Sequence, residues 1–226
     1  MTLYAVILYI MIHTNINGDE MNDFILERGI KRYYDSKKFP AIFPKFLDDG
    51  ICDYLSDYLI NNQRLFTLEN PEIEYWKDRT INYYELSEYK IRDILRDNTK
   101  RLQDIITEKA SLTVRKAYPD TMVLTKWTEG IEQLPHADRS HLDGTENYTP
   151  WRDYSTLIYL NESFEGGDIF FPRQKIFYKP KKGTAILFPA TTEFVHGVSK
   201  IKSGVRFTLT SFWSFDKGHS VDEAFL

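Results

Sequence analysis

The fold is decided by the stretch Val205-Arg206-Phe207-Thr208-Leu209-Thr210, a run of strand-favouring residues around one arginine. From about residue 121 onward the chain contains further runs of this kind, separated by turns rich in glycine and proline. The predicted strands are residues 122–128, 154–160, 168–171, 175–178, 184–188, 194–198 and 205–212. Many short strands with close turns are typical of a jelly-roll-like barrel.

The chain before this region has a helical pattern. Asp48 can cap a helix, and the apolar face of that helix is formed by Ile51, Tyr54, Leu55, Tyr58 and Leu59. A longer helix is predicted from near Ser87, with an apolar stripe made of Ile91, Ile94, Leu95, Leu102, Ile105 and Ile106. Because the helices come first and the strands second, we expect an α+β fold in which the N-terminal helices pack on one face of the barrel.

These patterns divide the chain into four parts. Residues 1–20 are an apolar N-terminal segment of uncertain role, residues 21–118 a helical support region, residues 119–220 the barrel and residues 221–226 a tail. The apolar run at residues 3–12 is too short to cross a bilayer as a straight helix, so no membrane partner is expected. A cytoplasmic location is favoured, whereas a secretory or ER location follows if residues 1–17 act as a signal or anchor.

Composition and charge exclude several classes of function. The 226 residues carry a net charge of −4 and no basic footprint, so we expect no nucleic-acid partner. The single cysteine, Cys52, excludes both an internal disulfide framework and a cysteine-based zinc site. We expect Cys52 to be buried filler in the core of its helix. The composition carries no prediction of the oligomeric state.

A metal site is predicted from His136-Ala137-Asp138 and from His196, sixty residues after His136. In an extended segment, residues i and i+2 point to the same side, so His136 and Asp138 can bind one ion, with His196 contributed by another strand. A single histidine would more simply be structural. A structural role for His136, Asp138 and His196 together, however, would require three separate coincidences of residue type and position. Two imidazoles and one carboxylate leave open coordination sites, as in Fe(II) oxygenases.

A binding site for a dicarboxylate is predicted around Arg206. An arginine that points into the barrel from a core strand is costly to bury unless a ligand pairs with it. A carboxylate matches the fork of the guanidinium group. Thr210 has the same strand parity as Arg206, so its hydroxyl can join the same pocket. The alternative is an outward arginine on an edge strand.

Beyond these residues, the chain resembles the catalytic domain of the 2-oxoglutarate- and Fe(II)-dependent prolyl hydroxylases. The shared motifs occur in that family's order: Ile158-Tyr159-Leu160-Asn161, Phe164-Glu165-Gly166-Gly167-Asp168, Pro180-Lys181-Lys182-Gly183 and Leu187-Phe188. The leprecan-type prolyl 3-hydroxylase branch is the most similar, and it also shares Arg152-Asp153-Tyr154-Ser155 and His196-Gly197-Val198. The resemblance covers roughly residues 120 to 220 and implies a double-stranded β-helix, which is the jelly-roll barrel of this family.

The resemblance also implies ligands and roles. Fe(II) would be held by His136, Asp138 and His196, and 2-oxoglutarate and O₂ would be the co-substrates, with L-ascorbate as the expected helper. The residues expected at 2-oxoglutarate are Arg206, Tyr159, Thr210 and Trp127. Many prolyl hydroxylases have tyrosine where this chain has Trp127, which puts one hydroxyl contact in doubt. The implied reaction is hydroxylation of a prolyl residue, or less favourably a lysyl residue, in a protein or peptide.

The segment 139–153, between the HxD motif and the next strand, is predicted to be a lid that faces the substrate through Tyr148, Trp151 and Arg152. A solvated insertion is the alternative interpretation. Two other functions compete with a peptide hydroxylase. The same barrel supports hydroxylation of a free amino acid or another small molecule. Nucleic-acid demethylases carry a further arginine at the position of Phe212, so that class is disfavoured.

Overall fold

A computed structural model describes residues 38–67, 74–109 and 116–225 of the chain, and the predicted N-terminal segment 1–20 lies outside them. The two α-helices in these ranges are α1 (Asp49–Asn61) and α2 (Tyr89–Lys109). The strands are β1 (Ala41–Phe43), β2 (Thr80–Asn82), β3 (Tyr118–Trp127), β4 (Gln133–His136), β5 (Tyr154–Tyr159), β6 (Phe164–Gly166), β7 (Ile169–Phe171), β8 (Ile176–Tyr178), β9 (Ala185–Pro189), β10 (His196–Val198), β11 (Ile201–Gly204) and β12 (Arg206–Ser214).

The strands form antiparallel sheets, which gives the predicted combination of helices and antiparallel strands. The larger sheet has six strands in the order β1-β9-β5-β12-β3-β2, and the smaller has four in the order β4-β10-β7-β8; β11 and β6 form a separate pair. Aromatic rings join the two sheets. Phe188 of β9 lies with its ring centroid 5.0 Å from Phe171 of β7 and 4.5 Å from His196 of β10. The barrel interior therefore lies between these two sheets.

Helix α1 follows its predicted pattern. The side chain of Asp48 accepts a hydrogen bond from the Gly50 backbone at 2.8 Å, so it caps the helix as expected. Ser56 donates to the backbone oxygen of Leu160 at 3.0 Å, which ties the helix to the end of β5. The apolar residues of α1 and α2 belong to the same core cluster as the strands of the larger sheet. In the described parts of the chain, neither helix has the length and apolar content that a membrane span requires.

Several short strands escape the sequence patterns. The strands β1 and β2 lie in the region expected to be helical, yet they join the two edges of the larger sheet. Three residues are too few to establish a two-residue period against a helical background. The strands β6 and β11 are also absent from the predicted set, and each ends at a glycine, a residue type that signals a turn. The boundary between the support region and the barrel stays a prediction.

The last described residue, Phe225, is packed into the protein. Phe225 is fully buried, and its backbone oxygen accepts a hydrogen bond from Gln103 of α2 at 3.1 Å. The same amide of Gln103 donates to the backbone oxygen of Ala117 at 2.6 Å. One buried glutamine therefore holds the end of the described chain and the approach to β3 together.

The only thiol of the chain gives a direct test of the helix packing. Cys52 is fully buried, and burial raises its pKa to about 12. Because the thiolate is the reactive form, we expect Ellman's reagent to leave the native protein unlabelled and to label one thiol per chain in denaturant. Absorbance at increasing denaturant concentration measures this, and labelling should follow the loss of circular dichroism. Rapid labelling in native buffer would contradict the packing of α1.

Candidate active site

The pairing of β4 with β10 brings the two predicted histidine ligands together. His136 and His196 are Cα partners in this antiparallel pair, and their ring centroids are 4.3 Å apart. Asp138 lies two residues beyond His136, with its carboxylate oxygens 3.3 Å from Nε2 of His136 and 3.7 Å from Nε2 of His196. One ligand atom from each residue lies within 4.8 Å of the others. The three residues could therefore hold one metal ion.

Neighbouring groups orient these three side chains. Nδ1 of His136 lies 3.0 Å from the Leu134 backbone oxygen, and Nδ1 of His196 lies 3.1 Å from that of Phe194. A carbonyl oxygen only accepts, so Nδ1 carries the proton in each neutral ring and Nε2 keeps its lone pair for a metal. Ser155 of β5 donates to Oδ2 of Asp138 at 2.5 Å. Each ligand is thus held by a second contact that leaves a metal-binding atom available.

The protonation states of His196 and Asp138 also suit a metal. Burial lowers the pKa of His196 to about 4, so this ring is neutral at physiological pH. Burial would raise the pKa of Asp138, but electrostatic attraction from His196 and His136 and a hydrogen bond from Ser155 hold it well below its usual range. Burial would likewise lower the pKa of His136, but its contacts with Asp138 raise the pKa above the ordinary value. A neutral imidazole and an ionised carboxylate are the forms that bind metals.

Arg206 lies inside the barrel, at the start of β12. The residue is fully buried, which contradicts the alternative of an outward arginine on an edge strand. Its Nη1 donates to the backbone oxygen of Gly167 at 2.8 Å. Gly167 has a φ of 64°, and a Cβ there would lie 2.4 Å from Ile201 and 3.3 Å from Arg206. Glycine is therefore required where the chain turns against the guanidinium group.

The pocket around Arg206 contains five buried polar atoms that have no hydrogen-bond partner among the described residues. They are Nε and Nη2 of Arg206, Oη of Tyr159, Nε1 of Trp127 and Oγ1 of Thr208. The guanidinium carbon lies 4.4 Å from the Trp127 ring centre and 5.3 Å from that of Tyr159. Burial lowers the pKa of Arg206 to about 10, so it stays a cation at neutral pH. A desolvated cation among unpaired donors fits a carboxylate ligand.

Thr208 belongs to this pocket although it was not predicted. Residues 206, 208 and 210 point to the same face of β12. Thr208 is the strand partner of Tyr159 on β5. Thr208 is fully buried, whereas Thr210 lies one step farther along, opposite Leu157, and is half-buried. The parity argument that selected Thr210 applies equally to Thr208 and would have found it. The role of Thr210 stays a prediction.

Gln133 is a second residue that the sequence patterns missed. Its side-chain nitrogen lies 3.1 Å from Nε2 of His136, the atom available to a metal. The register between β4 and β10 shifts between His196 and Val198, so that Gln133 pairs with Val198. A strand of four residues with an irregular register defeats a simple alternation rule.

Several residues of the segment 139–153 are anchored by hydrogen bonds to the rest of the protein. Asn147 and Thr149 donate to the backbone oxygen of Asp138 at 3.2 and 2.8 Å, which ties the segment to one of the three candidate ligands. Trp151 and Arg152 donate to Oδ2 of Asp120 on β3 at 2.8 and 3.0 Å. These two predicted lid residues are therefore anchored on the barrel rim.

Aromatic contacts complete the rim. The Trp151 ring stacks on His219 with ring centroids 4.5 Å apart, and the Arg152 guanidinium carbon lies 3.6 Å from the centre of the Phe212 ring. Phe212 is the strand partner of Ser155, the residue that contacts Asp138. Tyr148, in contrast, is 93% exposed. Trp151 and Arg152 are thus held by aromatic contacts, Phe212 lies next to the residue that contacts Asp138, and Tyr148 is highly exposed.

Comparison with known proteins agrees with this site. Residues 122–214 match the 2OG-Fe(II) oxygenase superfamily. The chain is similar to human prolyl 3-hydroxylase 2, with 35% identity over 94 residues, and to mouse prolyl 3-hydroxylase 3, with 34% over 101 residues. These matches cover 36% and 39% of this chain but only 13% and 14% of the relatives. The chain therefore corresponds to a small part of those proteins.

Solved structures support the fold. A viral collagen prolyl hydroxylase from Paramecium bursaria Chlorella virus-1 aligns with a TM-score of 0.58 and 20% identity, covering 78% of this chain and 95% of that one. A prolyl-4-hydroxylase from Pseudomonas putida aligns with a TM-score of 0.59 and 17% identity, covering 77% and 91%. The predicted jelly-roll barrel and the predicted relation to prolyl hydroxylases are confirmed. Residues 122–214 thus match a 2OG-Fe(II) oxygenase domain, and the chain is similar over part of its length to the prolyl 3-hydroxylases and in fold to solved prolyl hydroxylases.

Proposed function

We propose that this protein is an Fe(II)- and 2-oxoglutarate-dependent dioxygenase that hydroxylates a prolyl residue of a protein or peptide. The observation that carries this proposal is the His136–Asp138–His196 cluster in the same barrel as the buried, unpaired donors around Arg206. The cluster suits a metal with open positions, and the donors suit a dicarboxylate. A lysyl residue is a less favoured target of the same chemistry.

Each part of the site has a separate task in this proposal. His136, Asp138 and His196 would hold Fe(II), and Arg206, Tyr159 and Thr208 would bind the distal carboxylate of 2-oxoglutarate. When bound, the ion and the 2-oxo acid supply the oxidising chemistry, in which 2-oxoglutarate and O₂ yield succinate, CO₂ and a hydroxylated substrate. Burial of the Arg206 pocket excludes water from the charge pair and thereby strengthens it. L-Ascorbate is proposed as the reductant that maintains Fe(II).

The rim favours a peptide over a free amino acid. A free amino acid would need a closed pocket that pairs its ammonium and carboxylate groups. The rim instead offers flat surfaces, namely the stacked ring of Trp151, the guanidinium of Arg152 and the exposed ring of Tyr148. Such surfaces suit a pyrrolidine ring in an extended chain. The related proteins named prolyl 3-hydroxylases agree with a prolyl target.

A product assay tests the proposed function directly. The purified protein is incubated with Fe(II), 2-oxoglutarate, ascorbate and either proline-containing peptides or free amino acids. Mass spectrometry should detect the gain of one oxygen atom on a peptide proline, with one succinate formed per hydroxylation. Oxygen gained only by a free amino acid would favour the small-molecule alternative. Succinate formation that no substrate stimulates would contradict the peptide proposal.

The exposed lid tyrosine can be tested separately. We expect Tyr148→Ala to raise the KM for a proline-containing peptide about 2- to 12-fold, because an aromatic contact contributes about 0.5–1.5 kcal/mol. Decarboxylation of 2-oxoglutarate without substrate should be unchanged, since Tyr148 is 93% exposed and lies outside the metal cluster. Tyr89→Ala is the matched control, because Tyr89 is 79% exposed on α2. If Tyr148→Ala and Tyr89→Ala have the same KM for the peptide, the segment 139–153 is a solvated insertion rather than a substrate-facing lid.

A further inference from the structure

A buried arginine outside the matched region lies behind the co-substrate pocket. Arg79 precedes β2, and its Nη1 and Nε donate to the backbone oxygens of Tyr75 at 2.9 Å and Lys126 at 3.4 Å. The Arg79 backbone oxygen accepts from the Lys126 backbone at 2.8 Å. Only 7% of the residue is exposed, and Nη2 has no hydrogen-bond partner in the described part of the chain. Arg79 is therefore fixed against the end of β3.

Three aromatic rings surround this guanidinium group. Its carbon lies 4.5 Å from the ring centre of Tyr75, 4.9 Å from that of Trp76 and 4.5 Å from that of Trp127. Trp76 also meets Trp127 edge to face, with ring centroids 5.8 Å apart. Trp127 thus contacts Arg79 and Trp76 from the segment before β2, and Arg206 from β12.

The strand order explains this arrangement. β3 lies between β12 and β2, so the last residue of β3, Trp127, has Arg206 on one neighbouring strand and Arg79 beside the other. Both guanidinium carbons lie about 4.5 Å from the same indole. Two desolvated cations close to one ring repel each other, and an anion bound at either one relieves that repulsion.

We propose that Arg79 is a positioning residue of the co-substrate pocket, which holds Trp127 against Arg206 and adds a second positive charge that favours a dicarboxylate. The proposal rests on the proposed function, because 2-oxoglutarate is the dicarboxylate concerned. It assigns part of the pocket to residues 75–79, which lie before the matched range 122–214. Arg79 itself does not touch the co-substrate in this scheme; it acts through Trp127 and through its charge.

Binding measurements on the full chain test the proposal without turnover. Calorimetry measures the Kd of 2-oxoglutarate with Mn(II) in place of Fe(II), and the Kd of Mn(II) alone is measured separately. Arg79→Met keeps most of the apolar volume but removes the charge and the donors. We expect 2-oxoglutarate to bind roughly tenfold more weakly, since a desolvated cation over an aromatic ring contributes at this level. Mn(II) affinity should be unchanged, and Arg79→Lys should lie between Arg79→Met and wild type.

A matched control separates this effect from a general loss of an arginine–aromatic contact. Arg92 of α2 has its guanidinium carbon 5.0 Å from the ring centre of Tyr83, which precedes the helix, so Arg92→Met should leave 2-oxoglutarate binding unchanged. The proposal is overturned if Arg79→Met binds 2-oxoglutarate like wild type, or if Mn(II) and 2-oxoglutarate weaken to the same extent. If Arg79→Met does not fold, wild-type affinity in Arg79→Lys overturns it. Wild-type protein that fails to bind 2-oxoglutarate would overturn the proposed function as well.

Discussion

An Arg206→Met variant should bind 2-oxoglutarate roughly 30- to 4,000-fold more weakly than wild type. Truncating one partner of a buried charge pair costs about 2–5 kcal/mol, and each factor of ten in Kd corresponds to about 1.4 kcal/mol. The large effect follows from burial, because Arg206 is fully buried and two of its nitrogens have no partner in the described residues. Calorimetry with Mn(II) in the metal site measures the change.

The same variant has an unusual expected effect on stability. Without ligand, Arg206 keeps a desolvated charge in the barrel, so replacing it by methionine should leave the melting temperature of the ligand-free protein unchanged or raise it. Wild type should be stabilised by 2-oxoglutarate through mass action, whereas the variant should lose that shift. Mn(II) affinity is the control, since Arg206 is not in the metal cluster. An unchanged Kd for 2-oxoglutarate would remove Arg206 from the co-substrate pocket.

The candidate site residues could be predicted from the sequence where a single local rule fixed the direction of their side chains. Two-residue alternation put His136 and Asp138 on one side of an extended segment, and it put Thr210 on the same face of its strand as Arg206. Helical spacing and the Asp48 cap likewise located α1. In these cases short-range geometry and the final fold require the same side-chain direction.

Other parts of the site depend on pairing between distant strands. The contact between Gln133 and His136 arises from an irregular register between β4 and β10. The position of Arg79 behind Trp127 arises because β2 joins the edge of the sheet next to β3. No periodicity within either segment encodes these pairings, since register and strand order are set by the tertiary fold. Such neighbours emerge only from the structure.

The lid illustrates the limit of reasoning from segment length. The spacing between the HxD motif and the next strand predicted a substrate-facing lid, and that role stays a prediction. The spacing carried no information about Asp120, whose Oδ2 accepts from both Trp151 and Arg152. Because these two side chains are anchored on β3, Tyr148 is the one predicted lid residue that is highly exposed.

Replacing Asp138 by alanine should abolish turnover. The carboxylate is the only anionic member of the cluster, and its removal leaves two neutral imidazoles beside Ser155, whose hydroxyl loses its acceptor. Loss of a partner that merely orients a metal ligand costs about 10- to 100-fold in metal affinity or activity. Loss of the ligand itself should exceed that range. Iron content after dialysis and succinate formation measure the two consequences separately.

A carboxylate from the same segment supplies the control for Asp138→Ala. Asp143 lies five residues beyond Asp138 and outside the His136–Asp138–His196 cluster. Its side chain is exposed and accepts hydrogen bonds from Thr145. Asp143→Ala should therefore retain iron and turnover close to those of wild type. If Asp138→Ala keeps stoichiometric iron and full activity, the assignment of this triad is wrong. If Asp138→Ala instead loses both iron and turnover while its melting temperature, measured without 2-oxoglutarate, stays near that of wild type, the barrel is still folded. The losses then come from the missing carboxylate rather than from unfolding.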